Sequence, residues 1–334
     1  MTTYHATTTG LFPLPDRAKS ELSSLKGHQK GDLIDGTEGP AIVDCYERAR
    51  STVIDLQRSA GLDRIVEGQL RWDDMLAHPL VLADGVETGG IVRYYDNNNF
   101  YREPIVTDEI TASGDLAGEL DATSRLLEND PLQVVLPGPY SLADLATDEY
   151  YGDRSAVLDA TASLLAAELA DAPAHETLLL LEPSLVTNPP DDGLDARASE
   201  AIDTVAAATD GDVVVYPYWG ALPEKVYAHI LDADVDAVGF DFVSDPEANL
   251  TNLLEYGGTE DALFGLVNGQ NTLLEEPAAI RDRAQWVLDR LPVTAFETVY
   301  LAPNTETFYL PYETFEAKLA ALAEAAALAE VTPT

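Results

Sequence analysis

Leu178-Leu179-Leu180-Leu181-Glu182-Pro183-Ser184 carries four consecutive apolar residues straight into a carboxylate and a proline. A run this short, apolar throughout, reads as a parallel strand buried on both faces. Similar Val-, Leu- and Ile-rich runs recur at Asp63–Glu67, Leu132–Leu136, Asp212–Tyr218, Ala237–Phe242, Leu263–Val267 and Val299–Ala302, with a first strand near Tyr4–Thr9. Between them lie helical stretches. In Ala41–Ala60, residues Ile42, Cys45, Tyr46, Ala49, Val53, Leu56 and Ala60 share one face, and Ser155–Asp171, Leu194–Thr209, Pro277–Leu291 and Tyr312–Glu330 follow the same period. Eight strands alternating with helices, with no Gly/Ser- or Pro-rich linker, predict an α/β fold: a single (β/α)8 barrel spanning residues 1–334.

The composition narrows the partners. The chain of 334 residues has 59 acidic and 19 basic residues, a net charge of −40, and 46% hydrophobic content. Acids spread along the whole length make a solvated acidic surface whose self-repulsion high ionic strength relieves, so a high-salt cytoplasm is expected. That field opposes binding to nucleic acid or to an anionic membrane. Cys45 is the only cysteine, which rules out an internal disulfide and a thiolate cluster for zinc. There is no signal-peptide pattern at the N-terminus and no run of eighteen apolar residues, so a soluble, unexported protein is expected.

In such barrels the site forms at the C-terminal ends of the strands. The residues there are polar: Arg17 and Lys19 beyond the first strand, Glu67-Gly68-Gln69 with Asp73 and Asp74 after the second, Pro137-Gly138-Pro139-Tyr140 after the third and Glu182 after the fourth. Tyr216 and Tyr218, Asp241, Asn268-Gly269-Gln270-Asn271 and Asn304-Thr305 close the circuit. A second feature is Arg93-Tyr94-Tyr95-Asp96-Asn97-Asn98-Asn99-Phe100-Tyr101-Arg102, read as an inserted polar-aromatic loop or hairpin around residues 88–110. Its amides and aromatic faces suit a flat polar ligand, and equally a cap over the core. Each isolated basic residue has the ordinary alternative of a surface ion pair, and the scattered histidines, which show no HxH spacing, that of solvated or core positions.

These motifs together resemble cobalamin-independent methionine synthase, over nearly the whole chain. The matching segments are Thr9-Gly10-Leu11-Phe12-Pro13, Gln57 with Ala60-Gly61-Leu62-Asp63, Glu67-Gly68-Gln69 with Asp74-Met75, Leu136-Pro137-Gly138-Pro139-Tyr140 and Leu181-Glu182-Pro183-Ser184-Leu185. The resemblance implies the barrel type shared by methionine synthase and uroporphyrinogen decarboxylase, and methyl transfer from a methylated folate to homocysteine. Its catalytic barrel holds zinc through His and Cys after strand five, Glu after strand six and Cys after strand eight. Tyr216 and Tyr218, Asp241, and Asn304 or Thr305 stand there instead. Phenols and amides are poor zinc ligands at neutral pH. Gln69 and Leu181 likewise replace the acids that hold homocysteine.

Val267-Asn268-Gly269-Gln270-Asn271 and the Arg93–Tyr101 segment resemble the N-terminal, zinc-free barrel of the same enzymes. The expectation is therefore a freestanding N-terminal-type barrel with no bound cofactor of its own, and methylated folate as co-substrate. Zinc would sit on a separate paralogous chain. Arg17, Lys19, Gln69, Tyr95, Asn98, Tyr101, Glu182, Tyr216, Tyr218, Asn268 and Asn304 are the candidate substrate-binding residues, with Arg93 and Arg102 as further cations. The alternatives are a non-catalytic assembly partner of that enzyme and an independent corrinoid-linked methyltransferase on the same barrel.

Overall fold

The computed structural model describes residues 2–24, 37–93 and 100–328. Its strands are β1 (Thr3–Ala6), β2 (Ile65–Val66), β3 (Asp84–Arg93), β4 (Phe100–Thr111), β5 (Leu132–Pro137), β6 (Thr147–Asp148), β7 (Thr177–Leu181), β8 (Asp212–Tyr216), β9 (Ala237–Asp241), β10 (Asp261–Val267) and β11 (Thr298–Pro303). Eight form one parallel sheet in the order β1-β11-β10-β9-β8-β7-β5-β2. Each expected strand falls in it. β5, β7 and β9 are buried at every position, as their unbroken apolar runs require.

The sheet curls until its edges approach each other. Asp63 N–H donates to the Ala6 carbonyl at 3.0 Å, and the Asp63 carboxylate accepts from Ala6 N–H at 2.7 Å. Inside, Thr7 Oγ1 donates to Gln133 Oε1 at 2.8 Å, and Gln133 Nε2 donates to the Thr8 carbonyl at 2.8 Å. No strand ladder joins β1 to β2 among the described residues. The first strand is shorter than the expected Tyr4–Thr9: Thr7 N–H still donates to the Leu301 carbonyl at 2.9 Å, but the next carbonyl, of Thr8, turns to Gln133 Nε2 at the inner face. Similarly, β8 stops at Tyr216 because Pro217 has no N–H to continue a ladder.

The expected helices are present with shifted ends: Pro40–Ala60, Arg154–Ala170, Leu194–Ala206, Pro277–Leu288 and Tyr312–Ala327. Pro40–Ala60 shows why the pattern was readable. A proline opens it, eight buried side chains line its inner face, and Gly61 ends it at φ 85°, donating to the carbonyls of Gln57 and Arg58. Asp16–Ser24, Asp115–Ser124, Pro139–Leu145, Glu224–Leu231 and Pro246–Tyr256 are further helices. Around residues 88–110, where a loop or hairpin was expected, β3 and β4 pair antiparallel, from Asp84 opposite Thr111 to Arg93 opposite Phe100, and β6 adds alongside β4. No described helix is long and apolar enough to cross a membrane.

Candidate functional site

The strand ends expected to bind substrate are largely occupied with one another. Tyr216, at the end of β8, is fully buried and lies across the inner face of β9 and β10, where Gly239 and Gly265 leave room for it. Its hydroxyl donates to the Asn304 carbonyl at 2.9 Å. Asn304 Nδ2 donates to both Asp241 oxygens at 3.2 Å, and its Oδ1 accepts from Gly269 N–H at 3.0 Å. Asp241 also accepts from the backbone N–H groups of Trp219, Val243 and Ser244, at 3.0, 3.0 and 2.8 Å. Burial pushes its pKa up, and donation from Ser244 and Asn304 pulls the other way. The ring of Tyr218 packs 5.6 Å from that of Tyr216.

The positions that resemble zinc-ligand sites thus form a hydrogen-bonded cluster. Its donor set is phenol, amide and one carboxylate, which does not fit zinc. Among the described residues, no group of three or more His, Cys, Asp or Glu is placed to hold a metal ion. Cys45 is buried on Pro40–Ala60, its thiol 3.9 Å from the Ala18 carbonyl.

Gln69 and Glu182 also act within the fold. Gln69 adopts φ 47°, accepts from Leu11 N–H at 2.8 Å and donates to the Val135 carbonyl at 3.0 Å, linking the ends of β1, β2 and β5. Leu11, Gln69 and Trp219 are the non-glycine residues with positive φ among those described, and all three lie at this end of the sheet. Glu182 accepts from Tyr140 N–H at 2.9 Å, Ser141 N–H at 2.8 Å and Ser141 Oγ at 2.6 Å, satisfying the N-terminus of helix Pro139–Leu145. Burial nevertheless lifts its pKa to about 7.

The expected cations point elsewhere. Arg17 is 81% exposed and pairs with Glu21, and Lys19, 47% exposed, lies 3.8 Å from Asp16, both within the first helix. Arg102 pairs with Asp73 at 2.8 Å, and Arg93 stacks 5.7 Å from the Phe100 ring. Glu67 lies 3.4 Å from Arg50, and Asp74 Oδ1 accepts from Leu76 and Ala77 N–H. Asn268 closes its own turn, accepting from Gln270 N–H at 2.8 Å. Tyr101 is half-buried, and burial with the charges of Glu103, Asp144 and Asp74 pushes its hydroxyl up to about 12. Tyr95 and Asn98 lie outside the described residues.

One group at the mouth went unread in the sequence. Glu306, 2% exposed, has Thr305 Oγ1 and Gln270 Nε2 as partners and no cation among the described residues. Burial raises its pKa from 4.5 to about 7. The sign follows: the fold prefers the protonated acid, so the stability it contributes is complete below about pH 4.5 and is lost as pH rises through about 7. Glu306→Gln should therefore stabilise the protein at pH ~8 by up to about 3 kcal/mol and change little near pH ~4. Denaturant titrations at both pH values check this; an equal difference at both contradicts it.

The comparisons with known proteins agree with the architecture. A model of the cobalamin-independent synthase N-terminal domain matches residues 83–289, more than half of the chain. A methionine synthase of Thermoplasma acidophilum is 22% identical over 267 residues, covering 77% of this chain and 71% of that protein. A methionine synthase of Saccharolobus solfataricus is 22% identical over 302 residues, covering 89% and 86%. Among solved structures, a B12-independent methionine synthase from Shewanella sp. W3-18-1, in complex with selenomethionine, superposes with a TM-score of 0.78 at 16% identity, covering 97% of this chain and 96% of that one.

Proposed function

Because the chain belongs to the cobalamin-independent synthase family, as an N-terminal-type domain, we propose that it serves methyl transfer from a methylated folate to homocysteine as the folate-side component of a two-chain enzyme. In this reading the eight strands close as a (β/α)8 barrel and the zinc lies on a separate, paralogous chain. One observation carries the proposal. Tyr216, Asp241 and Asn304 are hydrogen-bonded to one another at the positions that resemble the zinc ligands of the family's catalytic barrel, so this chain offers no zinc-bound thiolate chemistry of its own. Its part is positioning: the half-buried Tyr101 on the inserted hairpin supplies an aromatic face against which a pterin can be held while the partner's chemistry proceeds. The acidic surface fits a high-salt cytoplasm, where short-range contacts outlast the screened field.

A second reading has an observation of its own. Arg17, Lys19, Gln69 and Glu182 are engaged within the chain, which suits an assembly partner that never touches substrate. Replacing Arg17, Lys19 and Tyr101 together separates the two at molar salt. Lost methyl transfer with retained complex supports the folate-side role; unchanged transfer supports the assembly role. Failure of the unsubstituted chain to bind either a methylated folate or a zinc-bearing family member sinks both.

A further inference from the structure

Among the described strands, β3 is the long one with an open edge. The edges of the eight-stranded sheet curl toward each other, and β6, at the other side of the hairpin, has two residues. β3 runs for ten residues, Asp84-Gly85-Val86-Glu87-Thr88-Gly89-Gly90-Ile91-Val92-Arg93, pairs with β4 alone and has no buried position. Its outer edge therefore presents a row of backbone N–H and C=O groups. Natural edges are commonly kept short or blunted by lysine or proline, and β3 is neither short nor blunted by these residues.

The strand is close to self-complementary. Thr88 opposes Pro104 and Ile91 opposes Arg102, so Gly89 and Gly90 form a bulge that faces Glu103. Counted as one position, the bulge leaves Val86, Thr88, Ile91 and Arg93 opposite Val106, Pro104, Arg102 and Phe100, on one face of the hairpin. By the same count an apolar residue stands two positions to either side of Thr88, Val86 and Ile91, and a charge four positions out, acidic at Asp84 and basic at Arg93. Ile91 is 69% exposed. Neither Asp84 nor Arg93 is in an ion pair with a described residue, and Arg93 rests on the Phe100 ring.

We propose that β3 is a self-association edge, by which two copies of this chain pair antiparallel about a two-fold axis at Thr88 and join their hairpins into one six-stranded sheet. The axis sets Val86 against the second copy's Ile91 and Asp84 level with the second copy's Arg93, and makes each contact twice. Glu87 then faces the glycines of the bulge in place of another acid. Parallel pairing would instead set like charge beside like at both ends. The charges thus select the occupant: backbone hydrogen bonds supply the affinity, and Asp84 with Arg93 fixes the register. With a net charge of −40 per chain, distant repulsion opposes the pairing. At about 1 M salt the Debye length is about 3 Å, so that field is screened while groups in contact still attract. An edge contact is small, which fits a reversible dimer. The pairing is independent of the folate-side reading, since it uses the outer edge of β3 alone.

Sedimentation equilibrium of the full chain at about 1 M KCl, from about 5 µM to about 500 µM, tests it. A monomer–dimer equilibrium with its midpoint in that range is expected. Asp84→Arg and Arg93→Asp, each of which opposes like charges twice per dimer, should weaken it at least about tenfold. The double variant, which exchanges the two charges, should return to within about threefold of the parent. Backbone amides of β3 should exchange hydrogen more slowly at the highest concentration than at the lowest. Unchanged unfolding midpoints show that the variants are folded. A monomer at every concentration overturns the proposal. So does a dimer indifferent to both single changes, or one that the double variant fails to restore. Loss of a complex with a zinc-bearing family member in the single variants, with the chain itself monomeric throughout, overturns it too and assigns the edge to that partner.

Discussion

Gly265→Ala is expected to destabilise the protein by about 4 kcal/mol or more, enough to deplete the folded state under ordinary conditions. A Cβ at Gly265 would stand 2.0 Å from Tyr216 Oη and 2.8 Å from the Asn304 backbone. Neither neighbour can give way easily. Tyr216 is fully buried and anchored at the Asn304 carbonyl, and a Cβ at Gly239 would meet the same ring at 2.3 Å. The phenol thus spans a channel of two glycines from β8 to β11. Tyr216→Phe alone should cost about 1–2 kcal/mol for the lost hydrogen bond. In the Gly265→Ala background it should instead recover stability, because it removes the oxygen the new methyl strikes. Such a sign reversal is a coupling that separate contributions cannot produce. Denaturant unfolding of the four proteins measures it, and a Gly265→Ala variant within about 1 kcal/mol of the parent would contradict the geometry.

Glu182→Ala should cost about 3–5 kcal/mol, and Glu182→Gln about 1–2 kcal/mol. The alanine leaves three buried donors, Tyr140 N–H, Ser141 N–H and Ser141 Oγ, without an acceptor. The glutamine keeps one oxygen and turns an amide against the others. A Cβ at Gly138 would lie 2.2 Å from Glu182 Cδ, so the close seat of this carboxylate against the helix start depends on the glycine. A substrate-binding carboxylate would behave differently, since its Gln variant would shift ligand affinity at constant stability. Equal unfolding free energies for the parent and Glu182→Ala would remove the structural role assigned to this group.

The strand layout was legible because parallel strands buried on both faces are written as unbroken apolar runs ended by Pro, Gly or a charge. Leu178–Leu181 and Glu182-Pro183 show this most directly. The location of the strand-end groups was legible for the same reason, but what they do was not. Gln69, Glu182, Tyr216 and Asn304 reach partners 58, 42, 88 and 63 positions away, and no local pattern encodes such pairings. Gln133 stood unnoticed within an apolar run although it joins β5 to Thr7 and Thr8, just beyond β1. The Asp144–Asn188 contact likewise joins helix Pro139–Leu145 to the end of Ser184–Thr187 across 44 positions. Arg17 and Lys19 looked available because few cations exist in this chain, yet nearby acids on the same helix engage both.

The central claim is that this chain contributes to methyl transfer without carrying the metal. The most direct measurement is methylation of homocysteine from a methylated folate at molar salt, by this chain alone, by a zinc-bearing family member alone and by the two mixed. The account predicts no turnover from this chain alone and a rate in the mixture at least about tenfold above that of the zinc-bearing chain. Turnover by this chain alone, or a mixture no faster than the zinc-bearing chain by itself, would contradict it.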